Sequence, residues 1–210
     1  MENKVLDIWN HHSNEASSTI VIPDGCRDLI MRKPKNKKPI WYISKLFDSP
    51  EKVCIEADDR ILGLRLNAGV TINENALLAS IDTEDIDEIQ SRIDDFTAID
   101  ASTMEALACF ASNVKSVDAA SKKLGVTKRT LQRTLIKNTN RTPLYWIMLS
   151  RARRAARELC ANAEYAETAY NNHYSDQAHL CREIKRWFNV TPSRLKTSDE
   201  ISEQINNKAY

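Results

Sequence analysis

The sequence predicts an α+β fold, in which a small N-terminal antiparallel β domain is followed by an all-α domain with two helix-turn-helix units joined by a long helix. Short β-rich runs separated by turn residues predict the β domain. Helical periodicity with capping residues predicts the all-α domain. One helix-turn-helix pattern occurs twice in that second part, which indicates a duplicated unit.

Residues 1–72 are predicted to form a β-rich domain for sensing or dimerisation. Residues 1–18 are polar, so we expect only partial order there. Five β-rich runs follow and are expected to form one small antiparallel sheet, at residues 19–22, 29–31, 40–43, 53–55 and 61–66. So small a sheet cannot enclose a roomy cavity, and we therefore expect assembly of copies rather than binding of a small molecule.

Residues 73–102 are predicted to be a helical linker, with residues 94–102 as the connection between the domains. Ile86, Ile89 and Ile93 recur at helical spacing and give one apolar stripe. Two arrangements fit this stripe, since it can pack on the sheet or pair with the same stripe of a second copy. Residues 103–198 then form the all-α domain.

The first helix-turn-helix unit is predicted from its caps, its turn and its apolar spacing. Ser116 and Thr127 are residues that cap helix N-termini, and Gly125 supplies the turn because glycine adopts φ > 0 without steric cost. Leu131 and Leu135 stand four residues apart on the second helix and are expected to face the core.

Three long polar side chains occupy the opposite face of that second helix, namely Arg129, Gln132 and Arg133. Their i, i+3, i+4 spacing places them on one exposed stripe. Arginine can donate two hydrogen bonds to the acceptors of guanine, and glutamine can bond to both the donor and the acceptor of adenine. The stripe therefore fits the major groove of DNA. A solvated helix face beside a core is the alternative interpretation of the same spacing.

A second unit repeats the first. Residues 165–175 align with residues 117–127, and after one inserted residue Thr191-Pro192 falls on Thr142-Pro143. Threonine followed by proline predicts a helix start, because threonine caps the helix and proline fits its first position. A helix over residues 143–160 would span roughly 27 Å. Recognition helices at its ends could therefore approach a separation of one DNA turn, roughly 34 Å.

Residues 103–198 resemble the DNA-binding domain of the AraC/XylS family of transcription regulators. The resemblance rests on Leu124-Gly125-Val126-Thr127 and Leu131-Gln132-Arg133, on Pro143, Trp146, Arg151 and Ala155, and on Tyr174-Ser175-Asp176-Gln177-Ala178-His179-Leu180, Arg182, Lys185-Arg186-Trp187-Phe188 and Thr191-Pro192. It implies that double-stranded DNA is bound by both units. It also implies base-reading roles for Arg129, Gln132, Arg133, Gln177, Ala178, His179 and Arg182. Phosphate contacts are expected from Lys128, Arg151, Arg153, Lys185 and Arg186. Residues 22–31 and 61–69 also resemble the N-terminal domain of one branch of this family.

The second unit departs from the family pattern at its turn. His173 replaces the usual glycine, and polar Thr168 and Asn172 replace apolar residues, whereas Asn140 in the first unit is a tolerated substitute for a C-terminal glycine. We therefore expect the first unit to carry most of the base specificity and the second unit to act more as an electrostatic clamp.

Charge is distributed unevenly along the chain. Residues 103–198 carry a net charge of +10, residues 1–102 of −7 and the tail, residues 199–210, of −2. A basic domain of this size fits a polyanion such as DNA, while the acidic half suits contacts with protein. The tail is polar, and we expect little order in it beyond about one turn of helix.

The five cysteines are Cys26, Cys54, Cys109, Cys160 and Cys181, and the two nearest in sequence are 21 positions apart. No two have the spacing of zinc ligands, and an odd count argues against a disulfide framework. Cys26, beside Arg27, could be a redox sensor or a quiet structural cysteine. With no secretory core and no membrane-spanning run, we expect a soluble cytoplasmic protein without metal or cofactor.

The predicted function is a sequence-specific transcription regulator, either activator or repressor. Its expected partners are promoter DNA, RNA polymerase and a second copy of the chain, joined through the N-terminal half, with no membrane. Two alternatives remain: a DNA-repair or stress-response protein with a reactive cysteine on this kind of DNA-binding domain, or a protein-binding adaptor that has lost DNA binding. No phosphate loop, metal-spaced carboxylates or nucleophile elbow occurs, so we expect no enzyme.

Overall fold

The computed structural model describes residues 4–207, 209 and 210. These residues form eight strands: β1 (Val5–His12), β2 (Ser17–Val21), β3 (Arg27–Lys33), β4 (Ile40–Ile43), β5 (Glu51–Ile55), β6 (Arg60–Leu66), β7 (Thr71–Ile72) and β8 (Thr97–Ala98). They also form ten helices: α1 (Glu74–Ser80), α2 (Ile86–Phe96), α3 (Ala101–Ala111), α4 (Val117–Lys123), α5 (Lys128–Thr139), α6 (Pro143–Cys160), α7 (Tyr165–Asn171), α8 (Gln177–Phe188), α9 (Pro192–Leu195) and α10 (Asp199–Asn206). The predicted α+β fold, with strands first and helices after, is confirmed.

A four-stranded antiparallel sheet in the order β1-β6-β3-β4 forms the body of the β domain, while β2 and β5 pair separately. All five predicted strands are present, although they divide between two sheets instead of one. The expected partial order of residues 4–18 is wrong, because β1 pairs along the whole of β6. Trp9 fixes this pairing, since its ring covers Gly63 and its Nε1 donates to Asp28 Oδ1 at 2.9 Å. Residues 1–3 of that prediction lie outside the described residues.

The helices α1 and α2 cover one face of the four-stranded sheet. Ile89 and Ile93 of α2 are fully buried against Leu29 and Leu64 from the two central strands. Of the two arrangements for the isoleucine stripe, the structure therefore has packing on the sheet, and only Ile86 stays exposed.

The connection between the two halves is shorter than expected. Helix α2 extends to Phe96, the two residues of β8 pair with β7, and α3 begins at Ala101. The predicted linker over residues 94–102 is therefore wrong in its bounds, because most of its backbone is already used in helix and strand.

The long helix α6 is the centre of the all-α domain. Its buried side chains, among them Trp146, Leu149, Ala156 and Leu159, contact the helices of both units. Thr142 caps α6 by accepting from the N–H of Tyr145, and proline follows directly, as predicted. This helix therefore carries both units on one continuous support.

The β domain and the all-α domain share one hydrophobic core. Ile22, Cys26 and Ala68 belong to the same buried cluster as the apolar residues of α6. Gly25, at φ +81°, brings its turn so close that a Cβ there would lie 3.0 Å from Trp146 Cζ3. The two halves of the chain are therefore packed together through this turn.

The C-terminal tail completes that contact. Residues 199–206 form the two-turn helix α10, which buries Ile201 and Ile205 against the shared core. Gln204 accepts from the N–H of Ile22 at 3.1 Å and donates to Ile20 O at 2.7 Å. The expectation of little order in the tail is therefore wrong, because the apolar surface that orders it comes from distant parts of the chain.

Candidate nucleic-acid interface

The first helix-turn-helix unit, α4 and α5, is formed by the residues that predicted it. Ser116 accepts from the N–H of Ala119 at 3.2 Å and Thr127 from the N–H of Thr130 at 3.1 Å, so each caps its helix. Gly125 lies in the left-handed region at φ +65°. Asn140, which follows the last residue of α5, is also left-handed.

Helix α5 presents an uninterrupted polar stripe to solvent. Leu131 and Leu135 are buried on its inner face, while Arg129, Gln132 and Arg133 are all exposed on the outside. Within the described part of the chain, these three side chains have neither a hydrogen-bond nor an ion-pair partner. Their hydrogen-bond donors are therefore available to an external ligand such as the edge of a DNA base.

The second unit, α7 and α8, repeats this geometry helix by helix. Both first helices have seven residues and both second helices have twelve. His173 takes the place of Gly125 at φ +59°, and Asn189 takes the place of Asn140 at φ 55°. The duplication inferred from the sequence is thus present in the backbone.

The predicted base-reading residues of the second unit differ in their exposure and in their contacts within the protein. Gln177, Ala178 and Arg182 are exposed on α8. His179 is only partly exposed, because its Nδ1 lies 3.1 Å from Ser175 Oγ and its ring stacks edge-on against Tyr174. The second unit therefore presents fewer long unengaged side chains than the first.

Three of the predicted phosphate contacts are exposed cations at the helix surface. Lys128 pairs with Asp118 at 2.8 Å, and its hydrogen bond is the main reason that the pKa of this carboxyl is lowered. Lys185 donates to Asn189 O at 2.9 Å, and Arg186 lies 3.4 Å from a carboxylate oxygen of its own helix. Exposed ion pairs of this kind contribute little in water, so a phosphate can replace them.

Arg151 has internal partners instead. Its Nη2 donates to Lys115 O at 3.1 Å, and its guanidinium lies 5.7 Å from the centre of the Tyr174 ring. The side chain is half-buried. A phosphate contact from Arg151 would therefore have to compete with bonds that the protein already makes.

The prediction that Arg153 contacts phosphate is wrong. Its side chain is 0 % exposed, and its guanidinium donates to Pro23 O at 3.3 Å, Gln204 O at 3.2 Å and Ile205 O at 3.0 Å. Burial lowers the pKa of Arg153 to about 10, against the opposing effect of the Asp24 carboxylate. Arg153 therefore ties the β domain to the end of α10 and cannot reach a ligand.

The polar residues at the second turn are paired. Asn172 is fully buried, as the repeat alignment implied, but its amide accepts from Arg154 Nε at 2.7 Å and donates to Glu158 Oε2 at 2.9 Å. A third bond joins it to Thr168 O at 3.0 Å. A buried amide with its bonds made costs little, so the second unit keeps a well-defined turn despite the departure.

Sequence reasoning missed Arg154. Its guanidinium bonds both to the turn of the second unit and to the segment before the first unit. Four arginines occur within seven residues of α6, and the sequence alone does not show which of them has a different role. The polar Asn172 at an apolar position was the available signal, because a buried amide requires a partner.

The buried Cys26 does not have the environment of a reactive cysteine. Burial, together with the carboxylate of Asp24, raises the pKa of the Cys26 thiol, which disfavours the reactive thiolate. Among the residues described, no three His, Cys, Asp or Glu side chains are grouped to hold a metal ion.

Two adjoining clefts of about 210 and 410 Å³ lie between the β domain and the end of α5. No helix in the described ranges is long and apolar enough to cross a membrane.

Two helix-turn-helix units on one long helix, each with an outward polar face, define a DNA-binding domain. A family model described as a helix-turn-helix domain matches residues 120–198, which include most of both units. This segment is an AraC-type helix-turn-helix domain, as the sequence motifs predicted. The match supports a DNA-binding transcription regulator.

Several solved structures are similar to the chain. The C-terminal domain of AraT, a response regulator from Geobacillus stearothermophilus, is 16% identical over 47% of this chain and 85% of that one, with a TM-score of 0.43. An AraC-type transcriptional regulator from Chromobacterium violaceum is 20% identical over 50% of this chain and 93% of that one, with a TM-score of 0.41. ToxT from Vibrio cholerae is 10% identical over 92% of this chain and 98% of that one, with a TM-score of 0.48. A comparison with curated proteins found no match.

Proposed function

We propose that this protein is a sequence-specific transcription regulator that inserts α5 and α8 into successive major grooves of double-stranded DNA. The observation that carries the proposal is the duplicated unit on one rigid helix, with an unengaged stripe of Arg129, Gln132 and Arg133 on the first copy. Bidentate donors on a helix face are suited to base edges in the major groove. The net charge of +10 over residues 103–198 supplies attraction to the phosphate backbone.

The first unit would carry most of the base specificity. Its three readers are long, exposed and without internal partners, whereas the second unit offers the short Ala178 and the engaged His179. Exposed Arg182, Lys185 and Arg186 on α8 would act mainly through charge. The second unit would therefore contribute more to affinity for the duplex than to recognition of its bases.

The test uses the full chain and a duplex library randomised one half-site at a time. Arg133→Ala should weaken binding by about 1–3 kcal/mol and relax base preference in the first half-site. Arg182→Ala should weaken binding with a smaller change in preference. Arg92→Ala on α2 is the matched control, because it removes the same charge from an exposed position outside the interface. Equal loss of preference in both half-sites would reject the division of roles.

The same test separates the regulator from the alternatives. An adaptor without DNA binding would show no salt-dependent association with any duplex, whereas each phosphate contact should add about 0.9 to the slope of log affinity against log salt. A reactive-cysteine protein would lose function on replacement of Cys54, the exposed cysteine, while DNA binding persisted. Unchanged regulation of a reporter gene beside the selected site by a Cys54→Ser chain would support the regulator, because the reactive-cysteine alternative predicts its loss.

The N-terminal half would join two copies through the edge of its sheet. Strand β4 is an edge strand, and its outward side chains Ile40 and Tyr42 are 59% and 39% exposed. Unpaired strand edges with apolar side chains favour pairing with another chain. Because the isoleucine stripe of α2 is covered by the sheet, this edge is the better candidate for a dimer contact.

A further inference from the structure

The side chain of Arg154 connects the two helix-turn-helix units. It lies on α6, and its Nε donates to Asn172 Oδ1 in the turn of the second unit at 2.7 Å. Its Nη1 donates to Ala111 O at 3.3 Å, and its Nη2 donates to Asn113 Oδ1. Ala111 ends α3 and Asn113 follows it, in the stretch of chain that leads into the first unit.

A direct bond joins the same two segments without α6. Asn113 donates from Nδ2 to Asn171 O, at the end of α7, at 3.1 Å. The backbone of Asn113 is left-handed at φ +63°, and its side-chain amide contacts the second unit. Asn113 is therefore bonded to both Arg154 and α7.

Arg151 repeats the connection one turn earlier on the same face of α6. Its Nη2 donates to Lys115 O before the first unit, and its guanidinium lies over the ring of Tyr174 in the second unit. Two planar guanidinium groups thus span the same gap. Arginine suits this role because its donors are held in a fixed fork.

Burial gives these bonds a fixed geometry. Burial lowers the pKa of Arg154, although Glu158 acts in the opposite direction. A partly desolvated cation is retained only with its hydrogen bonds made, so the fork holds both segments at defined positions. These bonds add to the packing of both units on α6.

We propose that Arg154 is a positioning residue that sets the orientation of α5 relative to α8, and through it the half-site spacing that the protein accepts. The inference rests on the function proposed above. Successive base pairs lie about 3.4 Å apart, so a shift of one recognition helix by that distance changes the preferred spacing by one base pair. A bond network across the two units resists such a shift.

The test measures spacing preference with the full-length chain. Duplexes carry the two half-sites selected by the wild-type chain, with spacers lengthened or shortened by one or two base pairs, and single half-site duplexes report intrinsic reading. The wild-type chain should favour its best spacing by about tenfold over spacers one base pair away. Arg154→Gln should reduce that ratio below about threefold and leave single half-site affinity within about twofold.

Three further variants make the result specific. Asn113→Gly removes both side-chain bonds yet keeps the left-handed backbone, and it should lower the spacing ratio as Arg154→Gln does. Arg154→Lys keeps the charge but loses the fork, so it should not restore the ratio. Arg157→Gln removes the same charge from the same helix and should keep the wild-type ratio, because Arg157 Nε donates to Ile205 O at 3.1 Å and to no other described residue.

Each outcome decides the inference. An unchanged spacing ratio in Asn113→Gly, or a ratio restored by Arg154→Lys, would overturn it, because the effect would then be absent or due to charge. If Arg154→Gln fails to fold in a thermal melt, Asn113→Gly decides alone. A wild-type chain that selects no sequence would overturn the proposed function and this inference together, whereas selection without any spacing effect in the variants would overturn the inference only.

Discussion

Two glycines with the same backbone conformation provide a test of how the two halves are joined. Gly25 and Gly125 lie at φ +81° and +65°, so alanine at either position meets the left-handed penalty of about 1–2 kcal/mol. A Cβ at Gly25 would also lie 2.7 Å from Tyr210 Cβ and 3.0 Å from Trp146 Cζ3. Around Gly125, apart from its two chain neighbours, no atom of the described residues lies within 4 Å of the Cβ position.

The packing difference gives the magnitude of the effect. Overfilling a packed interior costs about 1–3 kcal/mol, so Gly25→Ala should lower the free energy of unfolding by about 2–5 kcal/mol in all. Gly125→Ala should lower it by about 1–2 kcal/mol, since only the backbone term applies. Urea denaturation of both full-length variants, followed by tryptophan fluorescence, measures the two values. Equal losses, or a larger loss for Gly125→Ala, would refute the tight contact between the Gly25 turn and α6.

Two further predictions concern pairing within the chain and between chains. Asn172→Leu places the residue of the first unit, Leu124, at the equivalent position of the second. It should lower the free energy of unfolding by about 1–3 kcal/mol, because Arg154 and Glu158 lose a buried partner. If a urea titration found the variant more stable than the wild type, apolar packing would outweigh these bonds. Ile40→Lys should weaken self-association of the full chain, measured by sedimentation at tens of micromolar. The control Ile86→Lys changes an exposed isoleucine on α2 and should have no such effect. Equal effects of the two substitutions would argue against β4 as the contact.

Local chemistry made the helical domain predictable. The caps at Thr127, Thr142 and Thr191 and the left-handed residues at Gly125 and Asn140 are decided within a few residues, so the sequence specifies them directly. The duplication then fixed the bounds of the second unit from those of the first. For the same reason, the exposed stripe on α5 was predicted residue by residue.

Features that depend on distant partners were not predictable in this way. Strand β1, VLDIWNHH, lies at the edge of the sheet without a regular polar–apolar alternation, and it gains its order from β6, about fifty residues later. Helix α10 has only Ile201 and Ile205 to bury, and the surface that receives them is formed by other elements. A segment with so few apolar residues looks disordered when read alone.

Arg153 shows what helical periodicity could have added. It follows Trp146 and Leu149 at the spacing of one helix face, and Ala156 continues that face, so its position is a core position. A cation there was interpreted as a phosphate contact because it stands among other arginines. Periodicity alone indicates burial, but the carbonyl groups that receive its donors become visible only in the fold.

The central claim is that α5 and α8 enter successive major grooves, and dimethyl sulfate footprinting of the full chain on its selected duplex tests it most directly. This reagent methylates guanine N7 in the major groove and adenine N3 in the minor groove, so one experiment reports both. The account predicts two clusters of protected guanine N7 with centres about 10 base pairs apart on one face of the duplex. A single protected cluster, or protection confined to adenine N3, would contradict it.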